Sequence, residues 1–71
     1  MNRFNIEEIK KSYPPGTRIE LDYMDDPQAP PVGTKGIVTH VDGIGTIHVN
    51  WNNGSSLGVV PEKDKFHIIN D

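Results

Sequence analysis

The stretch Gly36–Trp51 limits the possible folds more than any other part of the chain. It runs Gly-Ile-Val-Thr-His-Val, then Asp42-Gly43-Ile44-Gly45, then Thr-Ile-His-Val-Asn-Trp. Val, Ile and Thr suit a pleated, half-buried surface. Asp-Gly between two such runs is a strong hairpin signal. Two strands, Lys35–Val41 and Thr46–Trp51, are therefore expected to fold back on each other. Continuous pairing with Asp42 opposite Thr46 puts Ile37, Thr39 and Val41 on the face of Ile47, Val49 and Trp51. Val38, His40, His48 and Asn50 then share the other face. A bulge near Val38 would turn Val38 inward instead, and the residues alone do not choose between the two.

The rest of the chain continues in the same idiom. Thr17–Met24 alternates Ile19, Leu21 and Tyr23 with Arg18, Glu20 and Asp22, the period of a strand with one wet face. Asn52-Asn53-Gly54 reads as a tight turn. Ser55–Val60 reads as a fourth strand and Lys65–Ile69 as a fifth, with Pro61–Asp64 as one 3₁₀ turn between them. Five short strands separated by turn signals predict a small all-β barrel. Residues 1–13 form a helical arm ahead of the barrel domain at 14–71. Asn5 is its expected N-cap, Glu8 the capping-box partner, and Phe4 with Ile9 a hydrophobic staple. Pro14-Pro15-Gly16 stops the helix. About ten helical residues are marginal alone in water, so the arm is expected to dock on the barrel.

Seventy-one residues make one small domain, which buries only roughly 60% of its unfolded surface. There is no Cys to supply a disulfide or a thiolate zinc site. No run is apolar enough to serve as a secretory leader or to span a bilayer. A cytoplasmic protein without membrane contact is the expectation. The net charge of −3, from 10 acidic and 7 basic residues, disfavours nucleic acid as a partner. It is compatible with a basic protein partner.

The order of elements from Thr17 to Ile69, with its Gly58-Val59-Val60-Pro61 step, resembles the SH3-like barrel class. A closer likeness rests on Tyr13-Pro14-Pro15-Gly16-Thr17-Arg18-Ile19-Glu20-Leu21, Met24-Asp25-Asp26-Pro27, Gly33-Thr34-Lys35-Gly36 and Gly45–Leu57, above all Trp51-Asn52-Asn53-Gly54-Ser55. These segments resemble the family catalogued as domain of unknown function 4314. That resemblance implies a product of phages, plasmids or conjugative elements of Gram-positive bacteria. It brings no activity, catalytic residue or ligand. Gly36–Val41 also resembles the Gly-x-Val-x-x-Val core of KOW-type barrels, which touch nucleic acid or RNA polymerase.

Chemistry within the chain finds little footing. No Ser lies in a nucleophile elbow, and Asp22, Asp25 and Asp26 lack metal-loop spacing. His40 and His48 would be cross-strand neighbours with Asp42 near them. Zinc prefers at least three protein ligands, and two polar residues on a wet face is the plainer reading. No enzyme, no metal and no cofactor are expected. The SH3 resemblance implies a groove between the proline loop, the second turn and the 3₁₀ step. It would hold Tyr23, Asp25, Asp26, Pro30, Trp51 and Asn53 as partner-binding residues, with Pro61 beside them. Acidic loop residues in SH3 domains pair with Arg or Lys of a ligand. This chain lacks their run of groove aromatics, and Trp51 could equally serve the core. A non-enzymatic protein-binding module of a mobile element is thus expected, with a modulator or inhibitor of a host protein as its role. A nucleic-acid accessory factor is the alternative, and self-association through a sheet edge stays open.

Overall fold

In a computed structural model, residues 5–70 can be described. Phe4, expected in the staple, lies outside them. Helix α1 (Ile6–Ser12) is followed by strands β1 (Arg18–Tyr23), β2 (Lys35–Val41), β3 (Ile47–Trp51) and β4 (Lys65–Ile68). The four strands form one open antiparallel sheet in the order β3-β2-β1-β4.

The helix begins where expected. Asn5 is the N-cap and its side-chain oxygen accepts from the Glu7 amide at 2.8 Å. Glu7 and Glu8 sit in the first turn and Lys10 and Lys11 in the last, each complementing the helix dipole. Ile9 is buried and ties α1 to the hairpin: a methyl added at Gly45 would lie 3.5 Å from Ile6 and 3.6 Å from Ile9. Tyr13, the C-cap, packs its ring on Phe66 of β4 at 5.3 Å between centroids.

The hairpin contains the bulge. Next to the turn, Val41 pairs with Ile47 and His40 with His48. The register then slips between Val38 and His40, so Val38 pairs with Val49 and Gly36 with Trp51. One extra residue on β2 moves Val38 into the core and leaves Ile37 41% exposed on the wet face. Below the slip, Gly36 lies tight against β3. A Cβ there would lie 2.6 Å from Val49 Cγ1 and 2.8 Å from Trp51 Cε3. Glycine is the residue that leaves room there for Val49 and the Trp51 indole.

The core holds Ile9, Ile19, Leu21, Met24, Val38, Ile47, Val49, Trp51 and Val59. Tyr23, which alternation places beside Ile19 and Leu21, is 51% exposed. The β1–β4 register shifts between Leu21 and Tyr23, and Met24 enters the core instead.

Two expectations need correction. Ser55–Val60 does not form a full strand; it meets β3 through an isolated bridge, Ile47 to Val59, closed by two bonds of 2.8 and 2.9 Å. Local bonds compete with the ladder here. The Ser55 amide goes to the Asn53 side chain, and the Leu57 amide to the Ser55 hydroxyl. The described residues thus hold four strands plus this bridged segment in place of five full strands. Pro61–Lys63 forms a hydrogen-bonded turn and not a 3₁₀ helix. The Val60 carbonyl accepts from both Lys63 and Asp64, and the Asp64 side chain accepts from the Val60 amide.

Candidate functional site

Antiparallel pairing gathers Tyr23, Lys35, Trp51 and Lys65 at one end of the sheet, being the last or first residues of their strands. The loop 24–34 and the turn 52–54 extend from that end. The loop carries Pro27, Pro30 and Pro31, yet its backbone is well bonded. Asp26 accepts at its carbonyl from Ala29 and at its side chain from Gln28. Gly33 donates to Leu21, and Leu21 donates to Thr34. Thr34 closes the bend with its amide and hydroxyl both on the Pro31 carbonyl. Gly33 sits at φ +92°, a left-handed conformation that favours glycine.

Asp64 anchors this loop from below. It is 8% exposed, the one buried charged residue among those described. Its side-chain oxygens accept from the Val60 amide at 2.8 Å and the Asp25 amide at 3.2 Å. Each oxygen thus satisfies one backbone donor, which is how a buried carboxyl group is accommodated. The loop start and the turn before β4 become one unit.

The six residues expected at a partner surface divide by burial. Tyr23, Asp25, Asp26 and Asn53 are exposed, all at this end. Val32, 71% exposed, joins them from the loop. Pro30 is buried, and Ala29 packs on the core. Trp51 is 3% exposed with its indole N–H donating to the Leu57 carbonyl at 2.9 Å. Its hydrogen bond is satisfied internally, so it shapes the end of the sheet from inside and offers no face to a ligand. Asn53 receives the Ser55 amide, fixing the turn.

The wet face of the sheet carries all three histidines of the chain. His40 and His48 stack with centroids 4.3 Å apart and planes 8° from parallel. His48 Nε2 lies 2.9 Å from Asp42 Oδ2. The other Asp42 oxygen accepts the Ile44 and Thr46 amides, so this residue clamps the hairpin turn. The bond from His48, followed by those two amides, holds the Asp42 carboxyl below its ordinary value. On the same face, at the opposite edge strand β4, His67 Nδ1 lies 2.9 Å from Asp22 Oδ2. That bond, with the charges of Asp22 and Glu20, pushes His67 upward against a smaller opposing effect of desolvation.

Sequence pattern brought His40, His48 and Asp42 together as a metal candidate, and they do meet. Their arrangement is a stack ending on a carboxylate, with ring lone pairs in near-parallel planes. Among the described residues, no group of three or more His, Cys, Asp or Glu side chains could hold a metal ion. The Asp22–His67 pair went unread in the sequence, because β1–β4 pairing has no local signal. The only clue was that both sit on the wet phase of their strands. The role of Asp64 also left no trace, since it rests on a contact 39 residues away.

The family model described as Domain of unknown function (DUF4314) matches residues 2–69 of the chain. No curated protein and no solved structure matches it. Among the described residues, no helix is long and apolar enough to cross a membrane.

Proposed function

We propose that this chain, which belongs to the DUF4314 family, is a non-enzymatic module that docks a basic surface of another protein. The docking end is the one built by Tyr23, Asp25, Asp26, Val32 and Asn53. The observation that carries this reading is the combination of exposure and order in the proline loop. Two carboxylates stand in solvent beside a half-exposed Tyr and an exposed Val, on a loop fastened by main-chain bonds and by Asp64. A fixed loop loses little conformational entropy on binding. Carboxylates at its rim attract Lys and Arg, and an exposed Tyr with Val supplies apolar contact.

The reading includes closure of the sheet as an SH3-like barrel. Support comes from the segment at 55–59, which continues past β3 through the Trp51–Ser55 bond and the Val59 bridge. It also includes a setting in a phage or conjugative element of a Gram-positive bacterium, with a host or element-encoded protein as target. That setting rests on analogy.

The test compares the tagged chain with its Asp25→Lys, Asp26→Lys variant in affinity capture from a Gram-positive host lysate. Both substitutions lie on exposed positions and leave the core alone. A protein held by the first and lost by the second is expected. Equal capture by both removes the loop from the interface. Saturable, salt-sensitive binding of duplex DNA would transfer the function to nucleic acid.

A further inference from the structure

Two turns of this chain set a carboxyl or carboxamide side chain directly before a glycine: Asp42-Gly43 and Asn53-Gly54. In each, the glycine nitrogen can close a five-membered ring on the preceding side-chain carbonyl carbon. A Cβ on the second residue hinders that approach, and glycine has none. Asn53 is the one asparagine of the chain that a glycine follows. The structure treats the two side chains differently. Asp42 is a carboxylate whose oxygens are taken by His48 and by the Ile44 and Thr46 amides. An ionised carboxylate resists nucleophilic attack and offers no leaving group. Asn53 is a neutral amide on an exposed residue. Its Oδ1 accepts the Ser55 amide at 3.0 Å. A fixed N–H donor there stabilises the negative charge that develops on this oxygen when a nucleophile adds to the carbon.

We propose that Asn53–Gly54 is a site of spontaneous covalent modification, where Asn53 is converted through a cyclic imide to Asp or isoAsp. The Gly54 nitrogen gives its proton to hydroxide and attacks Asn53 Cγ. The Cγ–Nδ2 bond then breaks, and the nitrogen takes a proton from water and leaves as ammonia. A second water opens the imide. Opening at Cγ restores the ordinary backbone with Asp at position 53. Opening at the backbone carbonyl carbon leaves the chain running through the side chain as isoAsp. The Gly54 amide donates to the Trp51 carbonyl at 3.0 Å, so the nitrogen becomes available when the turn opens. An exposed turn opens locally far more often than the whole chain unfolds. A methyl added at Gly54 would meet nothing within 4 Å, so no neighbouring atom walls off this turn. The Asp product keeps an acceptor for the Ser55 amide and adds a carboxylate to the end of the sheet that carries Asp25 and Asp26. The conversion needs no partner and does not rest on the docking reading.

The test holds the full folded chain in mildly alkaline buffer made with ¹⁸O-enriched water. Intact mass and mapping of proteolytic peptides follow the chain with time. Release of ammonia, one heavy oxygen per converted chain placed at residue 53, and methylation of the product by an isoaspartyl methyltransferase are expected. Asn53→Gln, whose longer side chain must close a six-membered ring, should lose the conversion. Its amide NMR spectrum over β1 to β4 reports that the variant is folded. An unchanged mass over the time in which the free peptide Trp-Asn-Asn-Gly-Ser converts fully overturns the proposal. Conversion first at Asp42 or at another asparagine, or undiminished conversion in Asn53→Gln, also overturns it. So does conversion that begins only when urea unfolds the chain.

Discussion

Single positions decide where this chain can vary. A methyl added at Gly36 would meet Val49, Trp51 and the Asn50 carbonyl at 2.6 to 3.0 Å, all from β3. Gly36→Ala should therefore force strands apart, costing about 1–3 kcal/mol and lowering Tm by roughly 5–20 °C. Gly43, with nothing within 4 Å, is the control, and Gly43→Ala should stay within about 0.5 kcal/mol. Thermal unfolding followed by circular dichroism measures both. His67 sets a pH dependence with a definite sign. Its pKa is raised in the fold, chiefly by the bond to Asp22. The stability it adds is fully present below the unfolded value of 6.5 and is lost as pH rises through the raised folded value. Asp42 acts in another window: its lowered pKa adds stability above 3.8 that disappears as pH falls through the folded value. Urea midpoints at about pH 6 and about pH 8 should thus differ in the wild type, and His67→Gln should shrink the difference.

Elements carry the second group of consequences. The proline loop owes its shape to Asp64, whose two oxygens hold Val60 and Asp25. Asp64→Ala leaves two amides without their acceptor and should destabilise the protein by about 3 kcal/mol. Asp64→Asn, which keeps one acceptor, should cost less. Amide exchange at Asp25 and Val60 should quicken in both, more in the alanine variant. These elements were unequally legible from residues alone. The helix with its Asn5 cap, the first strand, the Asp42 hairpin turn and the Asn53 turn were readable, because each is written in local alternation or turn chemistry. The bulge was readable only as an alternative, since it is set by how two strands pair and not by a local pattern in either. Ser55–Val60 misled because Leu57 and Val59 alternate as a strand should. The Asn53 and Ser55 side chains take its amides, and only Val59 pairs on both sides. Of the surface residues, Asp25, Asp26 and Asn53 were legible as polar or turn positions, whereas the exposure of Tyr23 was not, because alternation sets it beside Ile19 and Leu21 and the register shift in β1–β4 has no local signal. Pro30 and Trp51 were not, because burial depends on what folds over them.

At the scale of the molecule, the two ends of the sheet offer different chemistry. One end presents Asp25, Asp26, Tyr23 and Val32 on a fastened loop; the other holds Lys10 and His40 over an apolar floor. Self-association would compete for the same surfaces, and light scattering at two concentrations separates a monomer from a dimer. The central claim is that the acidic proline loop makes the contact with another protein. It is tested most directly by an amide NMR map of the labelled full chain after adding the protein that capture retains. Shifts confined to residues 22–26, 31–34 and 52–54, with Lys10, Tyr13 and His40 unmoved, are the predicted result. Shifts centred on the helix or the histidine face, with the loop silent, would contradict it.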